Sequence, residues 1–143
     1  MAAIELSEEF AGKIEKVFEA LSQYELYPKY LPGVTAIQVK PAIKPGSTCL
    51  VRYELNIVKT FYYELNMFAQ GPNKIWWDLN DSNLMKANTG SWNLVSAGKD
   101  KTKATYSLDV KFKGLVPGMI TDQVAKANLP LMMKGFQRLI SER

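Results

Sequence analysis

Five aromatic residues with polar tips, Tyr53, Tyr63, Trp77, Trp92 and Tyr106, fall in the apolar phase of successive alternating segments, and Phe112 closes the series. Each of the five joins a flat apolar body to one hydrogen-bonding group, and such groups require a partner when buried. Taken singly, each reads as core. Taken together, five polar tips on one face point to an internal space where a ligand or water supplies the partners. As acid–base groups the tyrosines are weak, since an unperturbed phenol ionises at about pH 10. The chain has no histidine and one cysteine, Cys49. It therefore lacks the side chain most used for proton transfer near neutral pH and for metal ligation. A zinc site and a Ser-His-Asp or Cys-His nucleophile are excluded, no phosphate-cradling glycine motif occurs, and no catalytic residue, metal site or cofactor is expected.

The elements that must position these aromatics follow from hydrophobic periodicity. Ala3 to Phe10 alternates weakly and predicts a first strand. Ile14, Val17, Phe18 and Leu21 stand at i, i+3, i+4 and i+7, which predicts an amphipathic helix starting after Gly12. Tyr27 to Leu31 predicts a second short helical turn, with Pro28 at its start and Pro32-Gly33 as its stop. The period then changes from 3.6 to 2, predicting strands at Val34 to Val39, Cys49 to Ile57, Phe61 to Phe68, Ile75 to Leu79, Asn88 to Val95 and Lys103 to Phe112. Glu54, Asp78 and Asp109 take the polar phase and are expected in solvent. Met119 to Arg143 predicts a long last helix with Leu129 on its apolar stripe, kinked at Pro130. Strands kept apart from helices imply an α+β domain with an antiparallel sheet.

The stretch YELYPKYLPGV, residues 24 to 34, spends three tyrosines, two prolines and a glycine on a helix break. It reads either as a well-made corner whose tyrosine hydroxyls stay in water or as one wall of a pocket mouth. Gly114-Leu115-Val116-Pro117-Gly118 reads as a hinge ahead of the last helix, with Leu115, Val116 and Met119 as the apolar lip of a gate. An internal apolar pocket of at least a few hundred Å³ is expected between sheet and helix.

The 143 residues fit one domain, here taken as residues 1–143. A lone cysteine supports no disulfide framework, the start MAAIELSEEF lacks signal-peptide order, and no run is apolar for the roughly 18 residues a membrane span needs. A soluble, cytoplasmic protein is the expectation. Eighteen Lys and Arg against fourteen Asp and Glu leave a mild positive charge. The dense patch KDKTK, with Lys99, Lys101 and Lys103, reads first as a solvated hairpin tip, and secondarily as a contact for RNA, a ribosome or, transiently, an anionic membrane. DNA binding is not expected.

VFEALSQYELYPKYLPGV resembles the helix, break and Tyr-Pro…Leu-Pro-Gly segment of the START-like, helix-grip superfamily, in its coenzyme Q-binding and polyketide cyclase/dehydrase branch. GSWNLVSAGKDKTKATYSLDVKFKG resembles that family's paired penultimate strands, and MMKGFQRLISER the end of its C-terminal helix. The resemblance implies a seven-stranded curved antiparallel sheet wrapped around a long C-terminal helix, with two short helices between strands 1 and 2. It also implies an apolar cavity holding a hydrophobic small molecule of lipid, quinone or polyketide type. On that reading Tyr53, Tyr63, Trp77, Trp92, Tyr106, Phe112, Leu115, Val116, Met119 and Leu129 are the candidate ligand contacts of a carrier or sensor. The alternatives are a polyketide cyclase/dehydrase-type enzyme, for which Tyr53, Tyr63 and Tyr106 are the inward candidates as base, and a ribosome-associated toxin-like protein.

Overall fold

Alternating segments can hide one face only by pairing side by side, and they do so here in one sheet. The computed structural model describes residues 2–31, 34–57, 59–114 and 129–142. Strand β1 (Ala2–Ala11) leads to helix α1 (Ile14–Leu21), a 3-10 turn (Tyr24–Leu26) and helix α2 (Tyr27–Tyr30). Six strands follow: β2 (Val34–Lys40), β3 (Cys49–Ile57), β4 (Lys59–Gln70), β5 (Lys74–Ser82), β6 (Met85–Ser96) and β7 (Lys101–Phe112). Helix α3 spans Leu129–Ser141.

All seven strands form one antiparallel sheet in the order β1-β7-β6-β5-β4-β3-β2. Each is joined to its sequence neighbour except β1, which closes on β7. The register shifts between Val34 and Ala36, between Glu64 and Leu65, and between Met85 and Ala87. A bulge at such a point bends and twists its strand, so the sheet curves around the helices as a helix grip. Strand ends outrun the apolar pattern: β5 continues to Ser82 and β6 begins at Met85. Ladder hydrogen bonds join backbone groups whatever the side chains, so polar residues extend the pairing.

The concave face holds the core. Val17 and Leu21 of α1, Tyr27 of α2, and Phe136, Leu139 and Ile140 of α3 pack against Phe10, Trp92 and Leu94 of the sheet. Phe136 meets Trp92 edge-on at 5.3 Å and Tyr27 at 5.2 Å. A second cluster, Leu55, Phe61, Leu84, Met85 and Val110, fills the far end. The polar phase is less solvated than expected. Glu54 is half-buried, Asp78 pairs with Lys44 and accepts from Asn66 Nδ2 at 2.8 Å, and Oδ1 of Asp109 is buried. On a strongly curved sheet, long basic side chains lie across the convex face and cover shorter polar neighbours. Among the described residues no helix is long and apolar enough to cross a membrane.

Candidate functional site

Strand register places the aromatics opposite one another. Tyr53 of β3 faces Tyr63 of β4, and their rings stack at 4.7 Å and 10°. Trp92 of β6 faces Tyr106 of β7, with ring centroids 4.9 Å apart. Trp77 of β5 lies between Met67 and Gly90. A β-carbon at position 90 would overlap the Trp77 indole and approach the Ser107 carbonyl oxygen to 2.8 Å. Glycine is thus what lets the indole lie flat across β6, where Trp77 Nε1 donates to Asn88 Oδ1 at 3.0 Å.

Between these rows and α3 the described residues enclose a cavity of about 200 Å³. Tyr53, Tyr63, Trp77, Trp92, Tyr106 and Leu129 all line it, so six of the ten sequence-derived candidates come together. Phe112 packs instead against the second cluster, beyond the cavity. Leu115, Val116 and Met119 lie outside the described residues, as do most of the hinge and the backbone preceding Leu129 that a kink at Pro130 would involve. The space falls short of the few hundred Å³ expected, with the Trp77, Trp92, Tyr27 and Phe136 rings all on its wall.

The corner at residues 24 to 31 is a cavity wall. Tyr24, Tyr27 and Leu31 line it. Two of its three tyrosine hydroxyls are not left to water, as the simpler reading had it. Tyr27 donates to the Leu21 carbonyl, one of the carbonyls left open at the end of α1. Tyr30 donates to Glu142 Oε1 at 2.8 Å, with the Arg138 guanidinium 5.3 Å from its ring centroid. Gly135 makes the docking feasible, since a β-carbon there would overlap the Tyr30 carbonyl oxygen. A mid-helix glycine is the sequence signal of this approach.

The electrostatics are simple. Burial raises the phenol pKa of Tyr53, Tyr63 and Tyr106, and neighbouring phenols add to this for Tyr53 and Tyr63. These groups are therefore neutral at physiological pH. None of the three hydroxyls makes a hydrogen bond to a described residue, and no described lining residue is charged. The corner tyrosines Tyr24 and Tyr27 entered the sequence reading only as a possible pocket wall, and Asn88, Met132 and Phe136 were left out as contacts. Asn88 carried a signal, a polar residue in phase with Gly90 and Trp92. Outside the cavity, Lys101 Nζ lies 3.7 Å from Glu9, which is also the register partner of Lys103 on β1, so one carboxylate partly offsets the basic hairpin. Among the described residues no cluster of potential metal ligands occurs.

A curved seven-stranded sheet closed over a C-terminal helix, with an apolar cavity between them, defines a START-like helix-grip domain. The chain belongs to the polyketide cyclase / dehydrase and lipid transport family, whose model matches residues 11–137. A START superfamily protein from Mycobacterium smegmatis is similar in fold, with a TM-score of 0.82 at 20% identity over 98% of this chain and 97% of that one. A protein from Thermus thermophilus gives 0.82 at 14% identity over 99% and 98%. The Zhui aromatase/cyclase from Streptomyces sp. R1128 gives 0.75 at 11% identity over 97% and 90%. At these identities the likeness is one of fold. No curated protein matches the chain by sequence.

Proposed function

We propose that the protein is a carrier or sensor of a hydrophobic small molecule, of lipid, quinone or polyketide type, held in the cavity between the sheet and α3. We read the chain as one ligand-binding unit working in the cytoplasm, where a lone, half-exposed cysteine suits the reducing conditions. The observation that carries this is the unfilled space of about 200 Å³ inside the main apolar cluster. Interiors of proteins are close-packed, so a void bordered by aromatic rings is a place for a guest. Removing apolar ligand surface from water contributes about 25 cal/mol per Å² before ordering costs. Family membership supports the same reading.

Cyclase-type chemistry is the other activity named in the family, and three structures of similar fold are described as aromatase/cyclases. Such a reaction needs a positioned base. The described lining offers neutral phenols and amides, and burial raises the phenols away from that role. Carriage is therefore the better-supported reading. Native mass spectrometry of protein purified from its own host is expected to detect a co-purifying apolar compound. Protein that carries none, and that binds no fluorescent apolar probe after solvent extraction, would refute the proposal.

A further inference from the structure

We infer that the open edge of β2, with the helical corner beside it, joins a second copy of this chain in a two-fold pair, β2 lying antiparallel to β2. The inference is independent of the cavity.

Both ends of the sheet are open, since β1 pairs only with β7 and β2 only with β3. An unpaired edge presents a row of N–H and C=O groups that another strand can join, and edges that stay single are blunted by charge or by a cover. β1 is blunted in both ways. Glu5, Glu8 and Glu9 are exposed along it, and the Gln137 amide closes its end, accepting from Ala11 N at 2.9 Å and donating to Ala11 O at 3.4 Å. β2 differs. It carries no charge from Val34 to Val39, and the Lys40 ammonium at its end is held by Glu64, 3.3 Å away. Among the described residues no backbone hydrogen bond reaches β2 except from β3.

Apolar surface collects at the same place. Of the five large apolar side chains exposed among the described residues, three lie here. Val39 is in the strand, Ile43 follows it, and Leu26 is on the 3-10 turn that packs against β2, with exposures of 42%, 63% and 39%.

Charge selects a second copy as the occupant. The 3-10 turn and α2 lie along β2 and carry one exposed acid, Glu25, and one exposed base, Lys29, neither in an ion pair with a described residue. They stand at opposite ends of the strand. Burial and, less strongly, the Glu25 carboxylate raise the pKa of the Cys49 thiol, and the next residue, Leu50, faces Lys40, so Glu25 is at the Lys40 end. Only Leu31 to Gly33 separate α2 from Val34, so Lys29 is at the other. Antiparallel pairing sets the Lys40 end of one copy beside the Val34 end of its partner, so that Glu25 of each meets Lys29 of the other. A parallel pair would set like charges together. Identical patches related by a two-fold axis close on themselves, and assembly stops at the dimer. One strand pair and a corner make a small interface, and those below about 1,200 Å² are typical of transient association. A Kd of about 1–100 μM is expected.

The experiment is sedimentation velocity on the unmodified protein from about 1 to 500 μM, a range that brackets this Kd. A monomer–dimer equilibrium is expected, with hydrogen exchange in β2 slowing as concentration rises. Val39→Lys, which puts a charge into the strand pair, should weaken the dimer by at least about tenfold. Glu25→Lys should weaken it by about three- to tenfold, because two opposite-charge pairs become like-charge pairs. Combining Glu25→Lys with Lys29→Glu restores the match across the axis and should return the Kd to within about twofold of the parent's. A chain that stays monomeric over the whole range, assembly beyond a dimer, a dimer unaffected by Val39→Lys, or a double variant no tighter than Glu25→Lys would overturn the inference. All three positions are exposed, so urea midpoints near the parent's are expected, and the measurement on the unmodified protein needs no variant.

Discussion

Glu64 lies on the convex side of β4, buried although its strand phase is polar. Lys40 Nζ stands 3.3 Å and Arg52 Nη1 3.4 Å from Oε2, and Asn80 Nδ2 donates to Oε1 at 3.0 Å. Burial by itself raises the carboxyl pKa. The hydrogen bonds from Asn80, Lys40 and Arg52, with the lysine's charge, outweigh it and hold the group below the ordinary carboxylate range. A lowered folded-state pKa stabilises the protein above the unfolded value, about 4.3 for glutamate, and that stabilisation disappears as pH falls through the folded value. The urea midpoint of the unmodified protein should therefore drop between pH 6 and pH 3 more steeply than that of Glu64→Gln. Equally steep profiles would assign the acid sensitivity to other groups.

At the scale of elements, the informative contact is between the α2 corner and α3. Tyr27 and Leu31 are at once cavity wall and helix contact, and Gly135 is the point where the Tyr30 carbonyl closes on the helix. Gly135→Ala sets two effects against each other. Alanine favours an isolated helix by about 1 kcal/mol over glycine. A methyl group pressed against a backbone carbonyl, which cannot swing aside like a flexible side chain, costs about 1–3 kcal/mol. The overlap should win, giving a net loss of stability in urea and weaker probe binding as the corner moves off α3. A Gly135→Ala protein as stable as its parent would mean that the helix can shift without disturbing the wall.

For the whole molecule, the question is whether charge or apolar burial governs its interactions. The described cavity lining is uncharged, whereas Lys99, Lys101 and Lys103 sit on a hairpin beside Glu9. Surface electrostatic attraction is screened over about 10 Å at 0.1 M salt, while burial of an apolar guest is not. Raising sodium chloride from about 50 to 500 mM should change the affinity for an apolar probe by less than about twofold, in contrast to the thousandfold or greater losses typical of proteins that neutralise several phosphates. Ligand at about 100 times its Kd should also stabilise the protein by about 2.7 kcal/mol, seen as a higher urea midpoint. Strong salt dependence without such stabilisation would move the functional surface to the hairpin.

Periodicity was enough to place the strands, the first two helices and the Leu129–Ser141 part of the last one, and the phase of alternation identified Tyr53, Tyr63, Trp77, Trp92 and Tyr106 as facing the same side, because side-chain direction along a strand is fixed by a local period of two. The resemblance in the Tyr-Pro and Leu-Pro-Gly segment supplied the helix-grip arrangement that local patterns alone do not. What remained for the tertiary structure were relations between distant parts of the chain. Whether an inward aromatic borders space or packs solidly depends on bulges and register shifts that set the sheet's curvature, which is why Phe112, in the same phase as Tyr106, packs against the second cluster. The roles of Gly90 and Gly135 were likewise illegible in one dimension. A glycine's neighbours in the sequence do not reveal which indole or carbonyl will approach it, and only the packed fold brings Trp77 and Tyr30 to those two places.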